Sequence, residues 1–249
     1  MQQYIGFELL RRIDPKALSL VSENHLIYYF FKRVLDFCIA FLALIIFSPL
    51  LALVAILIKL DSPGPVFFTQ DRVGTRRKIY RRTTYWQRTT FRCYKFRTMV
   101  CNADPSLHKS YIKALINNDC ESMAELQGGN SRARKLTHDP RVTRLGRELR
   151  KWSIDEIPQF INVIKGEMSL VGPRPMIPYE VEMYKPWHYR RLETKPGITG
   201  LWQVTARSAA DFDEIVKLDI QYIEQQSFWL DLKILFRTPF AVLSCKGAV

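Results

Sequence analysis

Residues 37–58 read FCIAFLALIIFSPLLALVAILI, 22 positions without a charge. A run of that length crosses a hydrocarbon core of about 30 Å as one helix. Soluble cores rarely supply so long a run, so a buried helix is the weaker reading. Ser48 and Pro49 stand at its midpoint. Proline deletes a backbone hydrogen bond and crowds the preceding turn, which kinks or breaks a helix. The serine hydroxyl can bond a nearby carbonyl instead. Each half is about 14–16 Å long, or half a bilayer. Lys32 and Arg33 precede the run and Lys59 follows it. Two structures fit these residues about equally. One is a kinked single-pass helix; the other is re-entrant, entering and leaving by one face, and agrees better with positive charge at both ends.

Past a Pro-Gly-Pro turn, residues 66–73 have the apolar, β-prone content of a strand. Residues 91–99, FRCYKFRTM, alternate like its partner, with Phe91, Cys93 and Tyr94 inward. Residues 75–90 read as a polar connector carrying Arg76, Arg77, Lys78, Arg81, Arg82 and Arg88. Beside a membrane segment, contact with anionic lipid is favoured over simple solvation, at about 1 kcal/mol per basic residue near the surface. Residues 101–137 read as an insertion, with a mobile loop at GGNSRAR, 128–134. Helical periodicity covers 141–152, with Val142, Leu145 and Leu149 on one side, and 155–165, with Ile157, Phe160, Ile161 and Ile164. Residues 166–175 and 195–204 are Gly/Pro-constrained turns. Residues 211–225 and 228–243 read as amphipathic helices, the second either core or lying on a membrane.

Charge and cysteine usage narrow the class. The formal charge is +13, from 37 Lys+Arg against 24 Asp+Glu, which points to phosphate-bearing partners. The five cysteines form no C-x-x-C pair and read as unpaired thiols without a zinc site. No cleavable signal peptide is expected at the start. Nucleic acid is excluded as a partner, since no recognition helix or RNA-binding signature accompanies the basic residues.

Residues 150–160, RKWSIDEIPQF, hold the sharpest chemical candidate. Ser153 to Glu156 matches a capping box. Pro158 argues against that, because a helix begun at Ser153 loses an internal hydrogen bond there. A helix begun at Asp155 places Pro158 where no amide donor is needed. Both acids then sit at a helix N-terminus, which favours their charged forms. An ionised Asp can attack phosphorus. A neighbouring carboxylate can hold Mg²⁺ together with substrate phosphates, and nearby arginines can neutralise a diphosphate.

SPGPVFFTQDRVG, YKFRTM, DPRVTRLGRELRKWSIDEIPQFINVIKGEMSLVGPRP, KPGITGLWQV and LDIQYIEQQSFWLDLKILFRTP follow one another in order. Together they resemble the bacterial sugar transferases, monotopic phosphoglycosyl transferases acting on polyprenol phosphate. The resemblance implies transfer of a sugar 1-phosphate from a UDP-sugar to undecaprenyl phosphate, with release of UMP. It implies Asp155 as the nucleophile, Glu156 as a catalytic residue and Mg²⁺ ligand, and Arg174 as a donor-phosphate contact. Arg150, Lys95 and Arg97 are weaker carry-overs to the same role. It favours re-entry at Ser48-Pro49, at the cytoplasmic face of a bacterial plasma membrane, serving exopolysaccharide or related glycan synthesis. The family's large subclass carries an N-terminal four-helix membrane domain, which is expected to be missing from this sequence.

The expected fold is α+β and mostly helical. A 1–30 extension leads into a membrane helix, 31–60, broken at Ser48-Pro49. A small β-hairpin and a compact catalytic domain with interfacial helices fill 61–249. Expected partners are a UDP-sugar, undecaprenyl phosphate and anionic lipids, and a homo-oligomer is compatible with the sequence. A membrane-anchored basic scaffold is the alternative, but it leaves the Asp155-Glu156-Pro158 spacing without a reason.

Overall fold

The computed structural model describes residues 17–21, 26–80, 83–101, 104, 106–117, 119–126, 139, 141–205 and 211–243. The 128–134 loop, Arg81, Arg82 and Cys245 lie outside these. The architecture is mixed α+β and mostly helical, with one long apolar helix and two small sheets.

Strand β1 (Ala17–Leu20) leads to helix α1 (Leu26–Asp61), 36 residues long. Helical pairing is continuous through Pro49, so the expected break at Ser48-Pro49 is not a gap between two helices. Pro49 has no N–H for the Ile45 carbonyl, and the Ser48 hydroxyl takes that place, donating to Ile45 O at 2.8 Å. At 1.5 Å per residue α1 is about 54 Å long. Only 11% of its most apolar stretch is buried, and Phe41, Ile45, Ile46, Leu53 and Ile56 stand exposed. A soluble core helix would bury that surface, so α1 associates with a membrane.

Polar bonds fix α1 to the rest of the molecule. Lys32 pairs with Asp231 at 2.7 Å, and both are buried. Tyr28 donates to the same carboxylate oxygen at 2.8 Å, and Tyr222 to the other at 2.7 Å. Ala40 enters the main core with Val163, Met168, Leu170 and Ile234. Near the other end, Val54 and Ile58 pack on Phe96 and Leu149.

Strands β2 (Phe67–Tyr80) and β3 (Thr83–Phe96) form one long antiparallel hairpin, with β1 on the far side of β3. The connector expected over 75–90 is therefore corrected. Thr75 pairs with Arg88, and pairing continues to Tyr80 opposite Thr83. Threonines and aromatics at 83–90 suit a strand, and Tyr85 and Trp86 are buried. Trp86 stands edge-on to Tyr29 of α1, ring centroids 5.3 Å apart. Phe91 and Cys93 face inward as expected, whereas Tyr94 is half-buried.

Helices α2 (Ser106–Ile116) and α3 (Cys120–Leu126) occupy the expected insertion. Ile112 and Ile116 pack with Val73, Val181, Phe212 and Val216, so α2 belongs to a core. There follow α4 (Arg144–Lys151), a 3₁₀ turn (Ile154–Glu156), α5 (Gln159–Lys165), β4 (Ser169–Val171), α6 (Pro178–Glu182) and a second 3₁₀ turn (Pro186–Leu192). Strand β5 (Gly197–Thr199) lies parallel to β4. Helices α7 (Leu201–Thr205), α8 (Phe212–Gln225) and α9 (Phe228–Leu243) complete the order. Helix α9 buries Asp231 and Ile234 and leaves Trp229, Phe236 and Phe240 exposed. It is thus core on one side and apolar surface on the other.

Removing the carboxylate that holds Lys32 leaves a buried ammonium without its ion-pair partner. Asp231→Ala should lower stability by about 3–5 kcal/mol, read from denaturant unfolding in detergent. Asp231→Asn, which fills the same space and keeps one acceptor oxygen for a tyrosine hydroxyl, should lose less.

Candidate active site

The approach to the acidic pair is set by α4. Thr143 accepts the Gly146 N–H at 3.0 Å and caps this helix. A side chain at Gly146 would run into the Thr98 carbonyl, so glycine lets α4 lie directly on the end of the hairpin. Thr143 N–H donates to that carbonyl at 3.0 Å and locks the contact.

After α4 the chain reverses at Ser153, with φ 55, the one non-glycine residue at positive φ among those described. Such a backbone costs about 1–3 kcal/mol and gathers at functional sites. Neither expected cap forms. Ser153 makes no side-chain cap bond, and Asp155 does not begin a helix. Asp155 and Glu156 close the 3₁₀ turn, and α5 starts behind Pro158. Proline's missing N–H is harmless at that position. As Pro158 requires, no α-helix runs through it from Ser153; α5 begins at Gln159, four residues past Asp155.

Asp155 is buried and Glu156 half-buried. Glu156 Oε1 accepts from Lys95 Nζ of β3 at 2.8 Å and from Arg174 at 2.6 Å. Arg174 also reaches Oε2 at 3.3 Å. Burial alone would raise the Glu156 carboxyl, but Arg174 and Lys95 outweigh it and hold it well below the usual carboxylate range. Glu156 in return raises Arg174. Arg150 of α4 donates to Thr98 Oγ1 at 3.0 Å. Burial lowers its guanidinium, and the charges of Asp155 and Asp139 oppose that.

Arg174 stands on the Gly172-Pro173-Arg174-Pro175 turn. Gly172 N–H donates to Thr199 O at 2.9 Å, and Gly197 N–H to Pro173 O at 2.8 Å. The β4–β5 pair therefore sets where Arg174 points.

The structure brings together Asp155, Glu156, Lys95, Arg150 and Arg174. It does not bring in Arg97. That guanidinium is occupied by the Ile58, Ser62 and Pro63 carbonyls, where it caps the C-terminal end of α1. The expectation of a phosphate contact from Arg97 is corrected on that ground.

Arg72 went unnoticed in the sequence. It donates to Pro175 O at 3.0 Å and lies within electrostatic reach of Arg174 and Glu156. The segment that holds it, QDRVG, carries strand content and part of a family motif, but neither singles out the arginine. His108 and Tyr179, bonded at 2.6 Å, stand near Arg72, Arg141 and Arg150. Their spacing, 71 residues, left no sequence signal.

Among the described residues, no three acidic, histidine or cysteine side chains converge on one point. Mg²⁺ needs no such cage, because it commonly takes one or two carboxylates with substrate phosphates and water. The adjacent Asp155 and Glu156, with Glu156 firmly ionised, meet that requirement.

Fold and site thus define a membrane-associated α+β protein with carboxylates ringed by cations, a setting suited to phosphate chemistry. The chain belongs to the bacterial sugar transferase family, which it matches over residues 27–245. It is 42% identical, over its whole length, to the galactosyl transferase CpsE of Streptococcus agalactiae, and covers 48% of that protein. It is 40% identical over 88% of its length to the undecaprenyl-phosphate galactose phosphotransferase of Salmonella typhimurium, covering 42% of it. It is 39% identical to the exopolysaccharide production protein ExoY of Rhizobium meliloti, over 87% of each chain. The chain thus spans about half the length, or less, of the first two relatives and most of the third.

A carboxyl held below its unfolded value stabilises the fold above that value, about 4.3 for Glu. The contribution is lost as pH falls through the folded value. In Arg174→Gln the Glu156 carboxyl should titrate at higher pH than in the unaltered protein, read by carbon NMR of labelled glutamate. An unmoved titration would remove Arg174 as its cause.

Proposed function

We propose that this protein transfers a sugar 1-phosphate from a UDP-sugar to undecaprenyl phosphate, releasing UMP, as an early membrane step in exopolysaccharide or capsule synthesis. The observation that carries it is the ionised Glu156 beside Asp155, facing Lys95 and Arg174. Those cations have carboxylate as their present partner and phosphate as an equal alternative. The names of relatives support the substrates: one is an undecaprenyl-phosphate galactose phosphotransferase, another a UDP-glucose:undecaprenyl-phosphate glucose-1-phosphate transferase.

Asp155 acts as the nucleophile. Its carboxylate oxygen bonds to the sugar-linked phosphorus, the bond to the bridging oxygen breaks, and UMP leaves with that electron pair. An oxygen of undecaprenyl phosphate then bonds to the same phosphorus, and the aspartyl–phosphate bond breaks to return the carboxylate. Arg174 and Lys95 bind the diphosphate and orient it; Arg150 supports the charge of Asp155. Glu156 would hold Mg²⁺, which when bound would supply neutralisation of charge on the diphosphate.

Helix α1 lies in the cytoplasmic leaflet as a re-entrant element turned at Ser48-Pro49. Its exposed apolar surface and basic residues at both ends support that reading. The exposed apolar side of α9 rests on the same leaflet, and the basic hairpin attracts anionic lipid.

A panel of UDP-sugars with undecaprenyl phosphate should give UMP from at least one donor. Asp155→Asn should reduce release to background and abolish trapping of a labelled sugar phosphate on the protein; full turnover in that variant would sink the assignment. Glu156→Gln should lower the rate and weaken the Mg²⁺ dependence.

For α1, single cysteines replacing Leu26 and Ser62 in a cysteine-free chain should both react with an impermeant thiol reagent from one face. Labelling from opposite faces would show a spanning helix.

A further inference from the structure

Away from the acidic pair, a second set of cations surrounds a small cavity beside α1. Lys32, Arg33 and Asp36 of α1 line it with Arg77 of β2 and Lys195. Its volume is about 20 Å³, enough for a water-sized group such as a phosphate oxygen.

The partners of these charges are unequal. Lys32 is taken up by Asp231 at 2.7 Å. Arg33 donates to the Val163 and Ile164 carbonyls at the C-terminal end of α5 and has no carboxylate partner among the described residues. Asp36 accepts the Leu170 N–H at 3.0 Å. The Arg77 guanidinium lies over the Tyr29 ring, 5.0 Å from its centroid, without an anionic partner among the described residues. Lys195 has no hydrogen-bond or ion-pair partner among them either. Four cations thus meet two carboxylates, Asp36 and Asp231, and two positive charges stand in excess.

Crowded like charges with too few anions are unfavourable unless a ligand completes them. Lys195 registers this: burial first, then Arg33 and Arg77, push its ammonium down to about 8. The cluster's depth indicates what completes it. Residues 32–36 directly precede the apolar run that begins at Phe37, which puts the cavity at the level of lipid phosphates.

We propose that this cavity is a second anion site, separate from the acidic pair, and that it takes a phosphate oxygen of an anionic membrane lipid between Lys195 and Arg77. The site is independent of the transfer reaction, so it can fail while that reaction stands, and the reverse.

The test uses the full chain in phosphatidylcholine nanodiscs containing phosphatidic acid or phosphatidylglycerol, with bound lipid counted by native mass spectrometry. Saturable retention of one anionic lipid is expected. Lys195→Gln and Arg77→Gln should each weaken it about tenfold or more, the effect of losing one charge-assisted hydrogen bond. Lys195→Arg should restore it, and Lys217→Gln, on the exposed side of α8, should leave it unchanged. Unfolding temperatures of all variants separate lost binding from lost fold. Equal retention by the wild type and both Gln variants would overturn the proposal, as would the absence of saturable binding. A parallel arm titrates inorganic phosphate into phosphatidylcholine discs. Saturation there, with the same sensitivity to the variants, would assign the site to soluble phosphate and overturn the lipid source.

Discussion

The Arg33 guanidinium donates to two carbonyl oxygens, Val163 at 2.6 Å and Ile164 at 2.7 Å, at the C-terminal end of α5. Arg97 does the same for α1 through Ile58 and Ser62. Both meet the negative end of a helix, where a cation is favourable. These bonds matter because α1 exposes most of its apolar surface and offers its neighbours little to bury. The hydrophobic effect does not hold a helix to a domain when lipid is an equally good partner for its side chains. Directional bonds and the Lys32–Asp231 pair do so instead. With α1 fixed at one end to α5 and at the other to the hairpin, the turn that carries Asp155 and Glu156 keeps its place beside the helix. Ile154, immediately before the acids, packs into the Val54–Ile58 cluster of α1.

The charged cluster around the acidic pair is built from three distant parts of the chain. Lys95 comes from β3, Glu156 from the turn after α4, and Arg174 from the loop after β4. Each is aimed by backbone bonds of its own element, so the three charges meet without relying on flexible side chains alone. The left-handed Ser153 gives the turn its direction. In this arrangement the cations that hold Glu156 ionised are the groups a diphosphate would draw toward itself. An ion pair that is favourable without ligand spares the site an uncompensated buried charge.

Much of this was legible beforehand, for definable reasons. A charge-free run of 22 residues has few structural solutions, and Pro158 excludes a helix through it wherever the chain goes next. The acids, the Gly-Pro-Arg-Pro turn and the alternation of Phe91 and Cys93 are local patterns whose physics does not need a partner. The hairpin's outer half departs from the expected connector because its basic residues have loop-like composition. Its strand character depends on Trp86 and Tyr85 finding α1 and β1 to pack against.

The roles of the basic residues were decided elsewhere. Lys95 and Arg97 stand two apart on one stretch and carry the same sign. Lys95 meets Glu156, while Arg97 meets carbonyls at the end of α1. A cation in a sequence announces that it needs oxygen; which oxygen it reaches depends on elements brought to it from far along the chain. The sequence by itself determined the apolar helix, the acidic dyad and the proline that interrupts helix formation, since each follows from local sterics and hydropathy. Only the tertiary structure decided where α5 begins and which cations face the acids, since those follow from long-range packing and hydrogen bonds between separate elements.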